Sequence, residues 1–228
     1  MADRRDRALG WRPVARIFGR SSGTAPTVAW EHPGRHLLPI LAGVSALAVD
    51  QVHRYSVAQY ERLVELGAFA GVRVELLDGL VLDMSPKTPA HENVLEWLRE
   101  WLDARLDRSR LRLRVCAPLR LPDGEPEPDL AVCDRGQPRD RHPSSALLVI
   151  EVALSSVDRD LTIKPDRYAA AAAEYWVVNL AERHVVIHRA PAAGRYRSLT
   201  VLHPGDEVCA AQVGVHEPVS VADLLAAA

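Results

Sequence analysis

The chain has 228 residues, 48% of them hydrophobic and 25% charged, which is enough for one substantial domain with a packed core. A formal charge of -2 excludes a global basic field, so any contact with nucleic acid rests on local patches. The 3 cysteines, Cys116, Cys133 and Cys209, show no C-x-x-C spacing, which excludes a zinc ribbon or disulfide framework and fits a reducing cytoplasm.

The opening residues read differently from the rest. Residues 1–36 carry seven Arg against three acidic residues without sustained periodicity, which predicts a mostly flexible basic extension over 1–50 ahead of a domain over 51–228. Asp3 and Asp6 interrupt the arginines and argue against an import signal. Leu37 to Val49 is shorter than the ~18 apolar residues of a membrane span and contains Pro39, so no membrane association and a cytoplasmic location are expected.

"YSVAQYERLVELG" predicts a helix capped by Ser56, striped by Tyr60, Leu63, Val64 and Leu66, and stopped at Gly67. "VRVELLDGLVLDM" alternates on both sides of Asp78-Gly79 and predicts a hairpin. "HENVLEWLREWLDARL" puts Val94, Leu95, Leu98, Trp101, Leu102 and Leu106 on one helical face. "LRLRVCAPLRL" reads as a half-exposed strand with Arg112 and Arg114 outward; "DLAVCD" and "ALLVIEVAL" read as short apolar strands. "KPDRYAAAAAEYW" predicts a helix with Pro165 in its first turn, and "YWVVNL", "HVVIHRA" and "YRSLTVLH" predict further strands. The order implies one α/β domain built on a mixed, largely antiparallel sheet.

Glu151 interrupts the apolar run of "ALLVIEVAL", where an uncompensated charge is costly. Asp129, after Pro128, opens the preceding strand, and two such strands side by side bring both carboxylates to one point. Like charges that close call for a cation, and a hard divalent ion, Mg²⁺ or Mn²⁺, matches oxygen ligands. Lys164 and Tyr168 are four apart and share a face if one helix holds both. A lysine there would stabilise charge on a phosphoryl oxygen, so the group suits phosphodiester hydrolysis.

Taken singly, each residue has a plainer reading. Asp129 is then a strand-start turn residue, Glu151 the partner of a core arginine, and Glu75 a solvent-facing hairpin carboxylate. His91 is a helix-start residue, and Tyr168 packs its ring and hydrogen-bonds locally. Ser155 and Ser156 read as a cap, and His184 and His188 as exposed strand histidines. Seven arginines between Arg99 and Arg120 form either a phosphate-tracking surface or a solvated helix face and protected edge strand. A two-carboxylate glycosidase would need a sugar platform, which 5% aromatic residues do not supply.

Pro128-Asp129, the strand ending Glu151-Val152, the "S-S…R-D…K…Y" run, "EYWVVN", the "VELLDG" hairpin and the His91 helix start together resemble the Uma-two family of restriction endonucleases, within the PD-(D/E)XK nuclease superfamily. The resemblance runs from about Tyr55 to about Asp206. It implies a restriction-endonuclease-like central sheet flanked by helices, a metal held by Asp129 and Glu151 with Glu75 as a further ligand, and His91 and Tyr168 in support. The superfamily's usual lysine position is Ala153 here, so the resemblance transfers that role to Lys164, although Pro165 biases Lys164 toward extended geometry. The glycine usual before "EYW" is absent. The implied activity is Mg²⁺-dependent DNA cleavage, with a homodimer if both strands are cut. The rival is a DNA-binding or assembly module on the same fold that cleaves weakly or not at all.

Overall fold

The computed structural model describes residues 52–228, so the extension expected over 1–50 lies outside the described residues. Ser56 caps α1 (Val57–Glu65) through a reciprocal capping box with Gln59. The expected stripe is only partly used: Val57 and Tyr60 are buried, whereas Val64 is 50% and Leu66 64% exposed. The reason is the small partner. α1 packs on the hairpin β1 (Val74–Leu77) and β2 (Leu80–Asp83), through Leu76 and Val81, and not on the main sheet. Asp78 (φ 53°) and Gly79 (φ 75°) make the tight turn between them, as the Asp-Gly pair predicts.

Thr88 caps α2 (Pro89–Asp103), whose Val94, Leu95, Leu98, Trp101 and Leu102 are buried as the periodicity predicts. The main sheet is six-stranded in the order β3 (Leu111–Val115), β4 (Leu130–Asp134), β5 (Ala146–Ala153), β6 (Ala172–Asn179), β7 (His184–Ala192), β8 (Arg195–Leu202). Neighbours are antiparallel except β5 and β6, which run parallel. Parallel neighbours need a crossover, and α3 (Val157–Thr162) and α4 (Lys164–Tyr168) provide it. The chain closes with a small β9 (Glu207–Val208) and β10 (Val219–Ser220) pair and α5 (Val221–Ala226).

Strand periodicity sorts β5 between two cores. Leu148, Ile150 and Val152 join α2 and α5 on one face. Val149 and Ala153 face α3 and α4 with Tyr168, Tyr175 and Val177, and Glu151 shares that parity. The carboxylate therefore interrupts only the crossover face of β5. Each fully buried aliphatic side chain here contributes ~1.5–3 kcal/mol, so the apolar majority of the strand can carry it.

Two expectations fail. The alanine-rich stretch is not helical: α4 ends at Tyr168, Ala171 N–H bonds Tyr168 O at 2.9 Å, and Ala172 opens β6 opposite Ala146. Pairing with β5 overrides the helical preference of alanine, and the turn forms without glycine. His184 and His188 are not exposed. His188 is buried in a stack with Tyr175, ring centroids 5.4 Å apart, and His184 is half-buried.

Candidate active site

Asp129 sits one residue before β4, and Leu130 pairs with Ile150, so Asp129 lies beside Glu151 across the two strands. Val152 N–H donates to Asp129 Oδ2 at 2.9 Å, and Asp129 N–H reaches Glu151 Oε2 at 3.4 Å. His91, in the first turn of α2, places Nε2 3.0 Å from the same Asp129 oxygen. The other oxygen, Oδ1, has Lys87 Nζ at 3.5 Å. Burial pushes the Asp129 carboxyl upward, but the His91 contact, the Val152 N–H and Lys87 together outweigh it and leave it below the usual carboxylate range. Asp129 is therefore ionised and aimed.

Glu151 Oε1 accepts from Lys164 Nζ at 2.8 Å and from Tyr168 O–H at 2.9 Å. Both donors come from α4, and their four-residue spacing puts them on one face as expected. Pro165 does not divert the lysine, because Lys164 itself is the first residue of α4. Lys164 also lies 3.5 Å from Glu75 Oε2 and 3.2 Å from Asp160 Oδ1. Glu75 is not a solvent-facing hairpin residue: it is 1% exposed, and its Oε1 accepts from Arg159 at 3.0 Å. Tyr168 packs a buried ring 4.9 Å from that of Tyr175 and places its hydroxyl on Glu151.

Burial pushes Glu151 up to about 8; Lys164 opposes this, and Asp160, Asp129 and Glu75 add to it. Burial also disfavours the charge on Lys164, but Glu151, Asp160 and Glu75 outweigh it and hold the ammonium well above its ordinary value. One lysine thus faces three carboxylates and stays protonated.

The sequence reading gave no role to Arg159 and Asp160, although both stand in the "S-S…R-D…K…Y" run, and it missed Lys87. Asp160 is 1% exposed and bonded to Ser156 Oγ, so Ser156 serves Asp160 and makes no side-chain cap bond to α3. The spacing of Asp160 and Lys164, four apart, was the available signal. Lys87 carries none, since it reaches the site only by folding.

Among the described residues, no group of three or more His, Cys, Asp or Glu side chains forms a ready metal cage. The donor chemistry nonetheless fits Mg²⁺, a hard ion commonly held by one or two carboxylates together with water and substrate phosphate. Asp129 Oδ1 and Glu151 Oε2 lack a close hydrogen-bond donor, their nearest contacts being Lys87 at 3.5 Å and Asp129 N–H at 3.4 Å. Both line a cleft shared with Glu75, Lys87, His91 and Lys164.

A family model described as "Putative restriction endonuclease", Uma2, matches residues 57–216. No curated protein matches the chain. Among solved structures, the fold is similar to a "putative nuclease belonging to DUF820" from Anabaena variabilis ATCC 29413, with a TM-score of 0.59 and 13% identity over 75% of this chain and 98% of that one. At that identity the likeness concerns the fold, and the fold agrees with the central sheet and flanking helices expected above. No helix among the described residues is long and apolar enough to cross a membrane. The family match spans more than half of the chain and includes every carboxylate of the cluster: the protein belongs to the Uma2 family of restriction-endonuclease-like proteins.

Proposed function

We propose that this protein is a metal-dependent endonuclease that hydrolyses phosphodiester bonds in DNA, using Mg²⁺ or Mn²⁺. The observation that carries this reading is the meeting of Asp129 and Glu151 across β4 and β5, with Lys164 on Glu151. Asp129 and Glu151 would hold the ion, with Glu75 as a further donor from the hairpin. Bound there, the ion would polarise the phosphate and make water a stronger nucleophile near neutral pH.

The chain's own groups have separate tasks. His91 and the Val152 N–H fix the rotamer of Asp129. Tyr168, beside Lys164, holds Glu151 through Oε1. Lys164 is held protonated, so it serves as a cation for charge developing on the phosphate and not as a base. A hundredfold loss of rate on its removal corresponds to about 2.7 kcal/mol of transition-state stabilisation.

The test uses the purified chain with supercoiled plasmid, Mg²⁺ or Mn²⁺, and chelator controls. Metal should promote nicking and raise the melting temperature by mass action, and Asp129→Asn should abolish both effects. Equal metal-induced melting shifts in the wild type and Asp129→Asn would remove the shared site. Metal binding without nicking would favour the DNA-binding or assembly module.

A further inference from the structure

A larger cleft adjoins the candidate active site and is not used by its carboxylates. Its volume is about 880 Å³ against about 70 Å³ for the carboxylate cleft, and Arg73 and Glu127 line both. A polynucleotide reaching the carboxylates therefore lies mostly outside their own cleft, and the larger one borders it at the Arg73–Glu127 pair.

Edge strand β3 supplies the floor. Leu111 and Leu113 pack on the α2 side, so Arg112 and Arg114 point to the opposite face, into the cleft. Arg112 Nη2 and Arg114 Nε are buried with no hydrogen-bond partner among the described residues. Buried guanidinium N–H groups without acceptors are costly, and both arginines keep part of their side chains open to the cleft, where an anion would offset that cost. Arg114 Nη2 is anchored on Pro118 O at 3.2 Å, so its remaining donors are held in place.

The balance of charge in the cleft favours an anion. Glu61, Glu65 and Glu127 are paired with Arg120, Arg62 and Arg73. Arg112, Arg114, Arg139 and Arg141 make no ion pair among the described residues, and face Glu125 and Asp140. Burial pushes Glu125 up to about 7, which weakens its countercharge at neutral pH.

The geometry points to a second binding cleft, built on Arg112 and Arg114, that holds the phosphodiester backbone of the DNA leading away from the carboxylates. It rests on the nuclease reading above. Guanidinium groups bind phosphate through paired N–H donors, and every nucleotide presents the same phosphate, so the cleft would position DNA without reading sequence.

The test is fluorescence anisotropy of the full chain with a fluorescein-labelled DNA duplex in chelator, titrated with salt. Arg112→Ala/Arg114→Ala should weaken binding and flatten the plot of log K against log salt by about 2, roughly 0.9 for each phosphate no longer neutralised. Arg112→Lys/Arg114→Lys should recover most of the slope, because charge is kept. Arg139→Ala/Arg141→Ala alters only exposed side chains and should also flatten the slope, so it decides the matter if the β3 variant misfolds. Wild-type slope and affinity in the folded alanine variants overturn the cleft. If the wild type still nicks plasmid, the nuclease reading survives that result. Flattened slopes with no nicking under any metal would instead keep the cleft and remove the nuclease.

Discussion

Lys164 Nζ lies 2.8 Å from Glu151 Oε1, with both side chains buried beneath the crossover helices. Lys164→Met would leave the buried Glu151 and Asp160 carboxyls without their cation and its hydrogen bond. Removing one partner of a buried pair typically costs ~3–5 kcal/mol, and urea unfolding should show a loss of that size. The double variant Lys164→Met/Glu151→Gln should recover part of it, since the stranded carboxylate is gone. Strictly additive losses would mean that the two residues are not coupled.

His91 holds the Asp129 oxygen that also accepts the Val152 N–H. His91→Ala leaves that carboxylate held by the Val152 N–H and the more distant Lys87 alone, and so less firmly oriented. Loss of such an orienting partner typically weakens metal binding ~10–100-fold, which calorimetry with Mn²⁺ should register while the melting curve without metal changes little. Undiminished affinity would reduce His91 to a helix-start residue.

Burial lowers the pKa of His188 from 6.5 to about 4, with only Asp166 opposing, and its ring packs against Tyr175 and Tyr196. Between those values the unfolded chain binds a proton that the folded chain refuses. Stability from this residue is therefore full above pH 6.5 and falls as pH drops through the window, by on the order of 3 kcal/mol below its lower limit. His188→Phe keeps the stack without the titration. Its urea midpoint should fall less between pH 7 and pH 5 than that of the wild type, and equal falls would place the acid sensitivity elsewhere.

The domain boundary can be tested by truncation. Residues 52–228 contain the complete six-stranded sheet and the helices on both of its faces. Deleting residues 1–50 should therefore leave a cooperative urea transition with a similar midpoint. DNA affinity should weaken most at low salt, because the deleted arginines no longer neutralise phosphates. A molten or insoluble product would place the boundary earlier in the chain.

Local patterns in the sequence were sufficient for the elements that depend on local chemistry. Asp78-Gly79 specified its turn through positive φ, and the apolar spacing of α2 specified the face that meets the sheet. Asp129 and Glu151 were legible because a carboxylate in an apolar strand demands compensation. Tertiary pairing decided the rest. The alanines before Glu174 joined β6 because β5 offered them backbone partners, and no propensity scale contains that neighbour. Asp160 and Arg159 entered the cluster because the crossover brings α3 over β5, which also turned Glu75 from a hairpin surface residue into a buried one. Separation along the chain does not show which charges from different elements meet; folding removes the water between them and makes each one's ionisation depend on the others.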